Sequence, residues 1–144
     1  MNDKLNSFYK SLENKNVSFI GLGRSHRELL PLFASKGANV TLRDRRTREK
    51  IGEEADKLEK LGIKLILGDN YLDGLGCEDI ILRTPGFYYL NPVLQQAKAQ
   101  GAMVTSEIEL FFDLCPCKIY AITGSDGKTT TSTVISDQGY AFYY

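Results

Sequence analysis

The chain has 144 residues, 42% of them apolar, which is enough for one respectable core and makes a second full domain unexpected. Lysine plus arginine equals aspartate plus glutamate at 18 each, which excludes a global field that would draw the protein onto nucleic acid or an anionic membrane; any anion must be met locally. A single histidine and three cysteines (Cys77, Cys115, Cys117) without C-x-x-C spacing exclude a zinc site and leave reduced thiols.

In chain order, the first fifteen residues, MNDKLNSFYKSLENK, hold a helix and no apolar leader core. VSFIG (17–21) reads as the first strand, followed by a helix over 25–36 that Pro31 should kink. ANVTL (38–42) is the second strand, 47–61 a helix, IKLIL (63–67) the third strand and DIILR (79–83) the fourth. A helix over 91–100, a strand AMVTS (102–106), a helix over 107–114 and a sixth strand KIYAIT (118–123) complete the march. Most strands lack clean period-two alternation, which suits burial on both faces, and their alternation with helices predicts right-handed βαβ crossovers and an α/β, Rossmann-like, doubly wound parallel sheet of three αβα layers. Gly37, Gly62 and Gly101 follow helical patterns where a left-handed terminal residue is needed, and Asn91-Pro92 supplies an N-cap and first-turn proline. No stretch approaches the roughly 18 apolar residues of a membrane span, so a cytoplasmic protein is expected.

The first loop, FIGLGRSH, sets Gly21 and Gly23 between a strand and a helix, where glycines permit a tight turn and the helix N-terminus attracts a diphosphate. The dinucleotide fingerprint asks for a glycine where His26 stands, which argues against a standard NAD site. Ser25 has two readings: a capping box with Glu28, or a hydroxyl donor to phosphate. His26 reads as a plain first-turn residue. At the end of the second strand, LRDRRTR offers Asp44 as an acceptor for a ribose or base. The bland alternative is a solvated turn with Arg43, Arg45, Arg46 and Arg48 wetted by water.

A second loop, Gly124-Ser125-Asp126-Gly127-Lys128-Thr129-Thr130, fails the general Walker pattern, since Ile122 stands where its first glycine should be. Its parts keep their logic: backbone N–H groups for phosphate, Lys128 for the β and γ oxygens, and the Thr129 hydroxyl for magnesium.

GLGRS (21–25), RDRR (43–46), GD (68–69), RTPGF (83–87), SEIELF (106–111) and AITGSDGKTTT (121–131), in that order, resemble the Mur ligases, ATP-dependent enzymes of peptidoglycan synthesis. Within them the D-glutamate-adding branch, acting on UDP-N-acetylmuramoyl-L-alanine, is most similar, and the likeness covers nearly all of residues 10–136. The resemblance implies that Gly23, Arg24 and Ser25 lie against the diphosphate and Asp44 and Arg45 against uracil. Arg46 and Gly68 complete that pocket, and the Thr84-Pro85-Gly86 turn shapes its crevice. It also implies that Gly124, Ser125, Asp126, Gly127, Lys128, Thr129 and Thr130 bind ATP, with magnesium at Thr129 in an intact enzyme. Asp126, where asparagine is most frequent, adds negative charge beside the phosphates.

The same resemblance divides the chain into a substrate-binding domain over 1–117, the first strand and phosphate loop of a truncated ATPase domain over 118–136, and a non-family tail, DQGYAFYY, over 137–144. The tail is read either as disordered or as a cover over apolar surface. Such a chain has no complete catalytic set, should form no peptide bond and should hold neither ATP nor magnesium tightly. An interrupted reading frame or a deliberate shortening would account for it. The alternatives are another Mur ligase, such as the L-alanine-adding one, an NAD-binding oxidoreductase domain, or a nucleotide-sensing scaffold.

Overall fold

A computed structural model of the protein describes residues 3–137. The elements are α1 (Asp3–Ser11), β1 (Asn16–Ile20), α2 (Arg24–Ser35), β2 (Asn39–Asp44), α3 (Arg48–Ile51), α4 (Glu53–Lys60), β3 (Lys64–Leu67), β4 (Ile80–Arg83), α5 (Pro92–Ala99), β5 (Met103–Thr105), α6 (Glu107–Leu114) and α7 (Lys128–Ser136). All five strands are parallel, in the order β3-β2-β1-β4-β5. The chain winds outward from β1 to β3, then restarts at β4 on the other side of β1. The carboxyl edge between β1 and β4 is therefore the switch point at which an open parallel sheet forms a crevice.

Successive strand side chains face opposite sides of the sheet. Val17 and Phe19 of β1, Val40 and Leu42 of β2, and Ile80 and Leu82 of β4 join Leu30 and Phe33 of α2, Leu58 of α4 and Leu110 of α6 in one buried cluster. Ile20 and Ile81 belong to a second cluster, with Leu94 and Ala97 of α5. Helices against both faces give the expected three layers, and this explains why the strands read as near-continuous apolar runs.

The second face is not apolar throughout. Arg43, on β2 beside Ile20, is 4% exposed. Its Nε donates to Ser18 Oγ (3.2 Å), its guanidinium to the carbonyls of Tyr71 (3.1 Å) and Asp73 (2.8 Å), and to Glu78 Oε1 at 2.9 Å. Arg43 thereby fastens the turns between β3 and β4 over the sheet. A water-wetted Arg43 is corrected: a charge on this covered face is tolerable only when paired and hydrogen-bonded.

The turn chemistry follows the sequence at Gly37, Gly62 and Gly101, all with positive φ, and at Asn91, whose side chain accepts from the Val93 N–H at 3.0 Å. Three local expectations need correction. The helix read over 47–61 is two, broken at Gly52, whose φ of 69° is outside the helical region. Ser25 forms no capping box, because α2 begins one residue earlier with Gly23 as its N-cap and no side-chain cap; the S-x-x-E that does cap a helix is Ser106 to Glu109 on α6. Residues 118–123 form no strand, and Ile119 and Tyr120 are 40% and 66% exposed. Helix α2 runs unbroken through Pro31. The aromatic run of the expected tail, 138–144, lies outside the described residues.

Candidate functional site

Four strand ends build the crevice. At the end of β1 the chain turns through Gly21, with φ +83°, and Gly23 into α2. At the end of β4 stands Thr84, whose N–H donates to the Ile20 carbonyl at 3.2 Å. A Cβ on Gly21 would lie 3.2 Å from the Thr84 side chain, and so would one on Gly23. These glycines are therefore required twice, for φ at Gly21 and for room against Thr84 at both. Pro85 and Gly86 continue from Thr84 as an exposed turn, closed by the Phe87 N–H on the Thr84 carbonyl at 3.0 Å.

From the end of β2, Asp44 reaches across to the same turn. Its Oδ2 accepts the Leu22 N–H (2.7 Å) and Arg46 guanidinium (2.7 Å), and its Oδ1 accepts the Arg46 N–H (2.8 Å) and Nε (3.0 Å). Arg46 also donates to the Leu22 carbonyl at 3.0 Å, so Leu22, Asp44 and Arg46 form a closed ring of contacts. Burial pushes the Asp44 carboxyl up, but the Arg46 guanidinium and the N–H groups of Leu22 and Arg46 together hold it below its ordinary range. Gly68, at the end of β3, donates its N–H to the Asp44 carbonyl at 3.0 Å.

A carboxylate has about four lone-pair positions, and these four bonds fill them. Asp44, 5% exposed, thus presents no bare oxygen to a ligand, unlike the expected open acceptor. It organises the groups around it. Arg45 is exposed and the Arg46 side chain is 40% exposed at the rim.

Beyond the turn, Arg24 is exposed at the first position of α2, and the Ser25 hydroxyl donates to Glu107 Oε1 at 2.8 Å. His26 is fully buried beneath the turn, with Nδ1 2.6 Å from the Gly21 carbonyl and its ring edge-on to Phe19 at 5.1 Å. It fills the space a dinucleotide fingerprint reserves for glycine. Burial lowers its pKa, and the Gly21 contact and Glu107 only partly oppose this. Arg24, Ser25 and Glu107 also line an apolar recess of about 700 Å³ between α1, α2 and α6.

Structure thus gathers Gly23, Arg24, Ser25, Asp44, Arg45, Arg46, Gly68, Thr84, Pro85 and Gly86 along one sheet edge. Glu107 is the participant that residue types alone did not single out; its one sequence signal was the acid opening α6 directly after the Ser106 cap.

The loop of residues 124–130 is exposed. Gly127 N-caps α7 in the left-handed conformation, and Lys128 Nζ folds back onto the Gly124 carbonyl and, at 3.3 Å, the Ser125 carbonyl. A left-handed glycine ahead of an open helix N-terminus and a lysine arched over the loop fit a phosphate chain. Among the described residues no cluster of His, Cys, Asp or Glu could hold a metal ion, and no helix is long and apolar enough to cross a membrane.

No family model matches the chain. It is 45% identical over 97% of its length to a UDP-N-acetylmuramoylalanine–D-glutamate ligase of Acetivibrio thermocellus, of which it covers 31%. It is also 45% identical over 94% of its length to that of Clostridium novyi, of which it covers 30%. The chain therefore spans under a third of the length of these relatives. Among solved structures, a pseudomurein peptide ligase type C from Methanothermus fervidus is similar with a TM-score of 0.55 and 27% identity, over 86% of this chain and 25% of that one. A shikimate dehydrogenase solved with NADP+ has a TM-score of 0.50 at 22% identity, covering 76% of this chain and 49% of that one, a likeness of fold alone.

Proposed function

We propose that this chain, a homologue over nearly all its residues of the UDP-N-acetylmuramoylalanine–D-glutamate ligases, is part of a cytoplasmic, ATP-dependent Mur-type ligase. The reaction would join D-glutamate to UDP-N-acetylmuramoyl-L-alanine, and these residues would hold the uridine diphosphate of that substrate. The observation that carries the reading is the alignment of Gly23, Asp44, Arg46, Gly68 and Thr84 along the carboxyl ends of β3, β2, β1 and β4, joined by contacts that reach the β1/β4 switch point.

The diphosphate belongs at the N-terminus of α2, where first-turn N–H groups lack helical acceptors and the helix end carries partial positive charge. Gly21 and Gly23 let it approach, Arg24 stands beside it, and Ser25 is a further donor if it leaves Glu107. The uracil belongs on the β2 and β3 side, against Arg45, Arg46 and Gly68, with Asp44 holding Arg46 and the Leu22 N–H in place. Thr84, Pro85 and Gly86 border the crevice from β4.

We assign residues 1–117 to this substrate-binding body and 118–136 to the opening of an ATP-binding unit. There Lys128 would exchange the Gly124 and Ser125 carbonyls for β- and γ-phosphate oxygens, and Thr129 would offer its hydroxyl to magnesium. ATP supplies the phosphoryl group that activates the substrate's alanyl carboxylate for attack by the amine of D-glutamate. By themselves these 144 residues bind substrate without ligating it.

Calorimetric titration of the chain with UDP-N-acetylmuramoyl-L-alanine and with NAD tests the reading. Binding of the uridine nucleotide and none of NAD is expected; tight NAD binding with no response to the uridine nucleotide overturns it. ATP hydrolysis in the presence of D-glutamate and substrate should be undetectable, and turnover would refute the claim that these residues do not act alone.

A further inference from the structure

His26 and Glu107 make an arrangement that the substrate reading does not use. A carbonyl only accepts, so the 2.6 Å contact with the Gly21 carbonyl fixes the proton of a neutral imidazole on Nδ1. Nε2 then carries a lone pair, and it faces Glu107 Oε2 at 3.6 Å. Both atoms are buried and neither has a hydrogen-bond partner. Two acceptors confront each other where one proton would make a charge-assisted hydrogen bond. The other Glu107 oxygen holds the Ser25 hydroxyl, so the pair is one bond away from the anion-binding turn.

We propose that binding of a nucleoside diphosphate at the Gly21–Ser25 turn is coupled to uptake of one proton by the His26–Glu107 pair. The inference rests on the uridine diphosphate reading of that turn. Without the nucleotide, burial lowers the imidazole's pKa and so favours its neutral form near neutral pH. An incoming dianion sets further negative charge beside Glu107, and each added negative charge favours the protonated pair. The proton settles between Nε2 and Oε2, removes the repulsion between carboxylate and phosphate, and leaves the Ser25 hydroxyl less firmly held by Glu107. The groups facing the imidazole are the Phe19 ring of β1, the Gly21 carbonyl and Glu107 of α6; Arg24 and Glu28 are the other charged groups lining the recess. Arg83, at the end of β4 beside Ile20, is a nearby cation: its terminal nitrogen lies 3.5 Å from Glu109, while its buried Nε has no hydrogen-bond partner among the described residues.

The sign comes from linkage: the complex holds the proton more tightly than the free protein. Affinity is highest below the free His26 pKa, which lies below the ordinary 6.5, and weakens up to about tenfold per pH unit until the pKa in the complex is passed.

UDP-N-acetylmuramoyl-L-alanine is the probe, because its diphosphate is a diester and lacks the second phosphate proton that a monoester loses near pH ~6. Titrating the 144-residue chain with it near neutral pH in buffers of different ionisation enthalpy should show uptake approaching one proton per site. Because His26 is the sole histidine, its ring resonances in nuclear magnetic resonance need no assignment. They should titrate at higher pH in the complex than in the free chain. His26→Gln, which offers a neutral N–H to Glu107, should flatten the pH dependence of affinity. Binding without proton uptake and with an unmoved imidazole titration overturns the coupling and leaves the substrate reading standing. No binding at any pH removes the substrate reading and the coupling with it. The resonance measurement on the unsubstituted chain decides the matter should His26→Gln fail to fold.

Discussion

Asp44 illustrates how a single carboxylate can hold a turn and a neighbouring arginine together. One of its four hydrogen bonds joins the end of β2 to the Gly21 turn at the Leu22 N–H and three hold Arg46, so Asp44→Ala would leave the Leu22 N–H without its acceptor and release Arg46 from the carboxylate. The expected loss is about 1–3 kcal/mol of stability, measured by urea denaturation, together with weaker binding of the uridine nucleotide. The loss should depend on pH. A carboxyl whose folded pKa lies below its ordinary 3.8 contributes stability that is complete above that value and disappears as pH falls through the folded one, so wild type and Asp44→Ala should converge in strong acid. Gly21 gives a second test at this scale. Gly21→Ala and Gly62→Ala both place a side chain at positive φ, at roughly 1–2 kcal/mol each, but only at Gly21 does the new Cβ meet Thr84 at 3.2 Å, while nothing lies within 4 Å at Gly62. Thermal unfolding should therefore find Gly21→Ala the more destabilised; equal losses would mean that Thr84 yields without cost.

Between elements, the buried Arg43–Glu78 pair ties β2 to the turns that precede β4. Arg43→Met should cost about 3–5 kcal/mol in chemical denaturation, because it leaves Glu78 covered and unpaired, and Arg43→Met with Glu78→Met should recover much of that loss. Additive losses in the two single variants would show that the pair is not coupled. The same pair marks the boundary of what could be read from residues alone. Strands and helices were legible because each carries its own apolar pattern and punctuation: Gly37, Gly62, Gly101 and Asn91 end or begin elements by local backbone rules. Arg43 and Glu78 are 35 residues apart, and Ser25 and Glu107 are 82 apart. Nothing local distinguishes a paired, buried arginine from three neighbours in a basic run, or a serine that caps a helix from one that bonds to a distant glutamate. The crevice residues were found by motif order; which of them meet each other was set by the sheet order, and that left Asp44 bound to Arg46 instead of open.

For the molecule as a whole, the informative failure is the strand expected at 118–123. KIYAI has the composition of a buried strand, but a strand is stable only when its N–H and C=O groups find a neighbour and its apolar side chains find a core. Among the described residues the sheet ends at β5, and residues 117–130 are exposed apart from a half-buried Ile122. The hydrophobic clusters that stabilise the fold draw on residues up to Leu114 of α6. The body over 1–117 should therefore keep its stability when the chain is cut after it. Brief trypsin treatment should cleave first at Lys118 or Lys128, which lie in or border exposed chain, before any lysine or arginine within the sheet. The surviving body should melt at an unchanged temperature and bind the uridine nucleotide with unchanged affinity, since Gly23, Asp44, Arg46, Gly68 and Thr84 all lie within it. If cleavage there lowers the melting temperature or abolishes binding, residues 118–136 contribute to the substrate-binding body and the division between the two units must be drawn elsewhere.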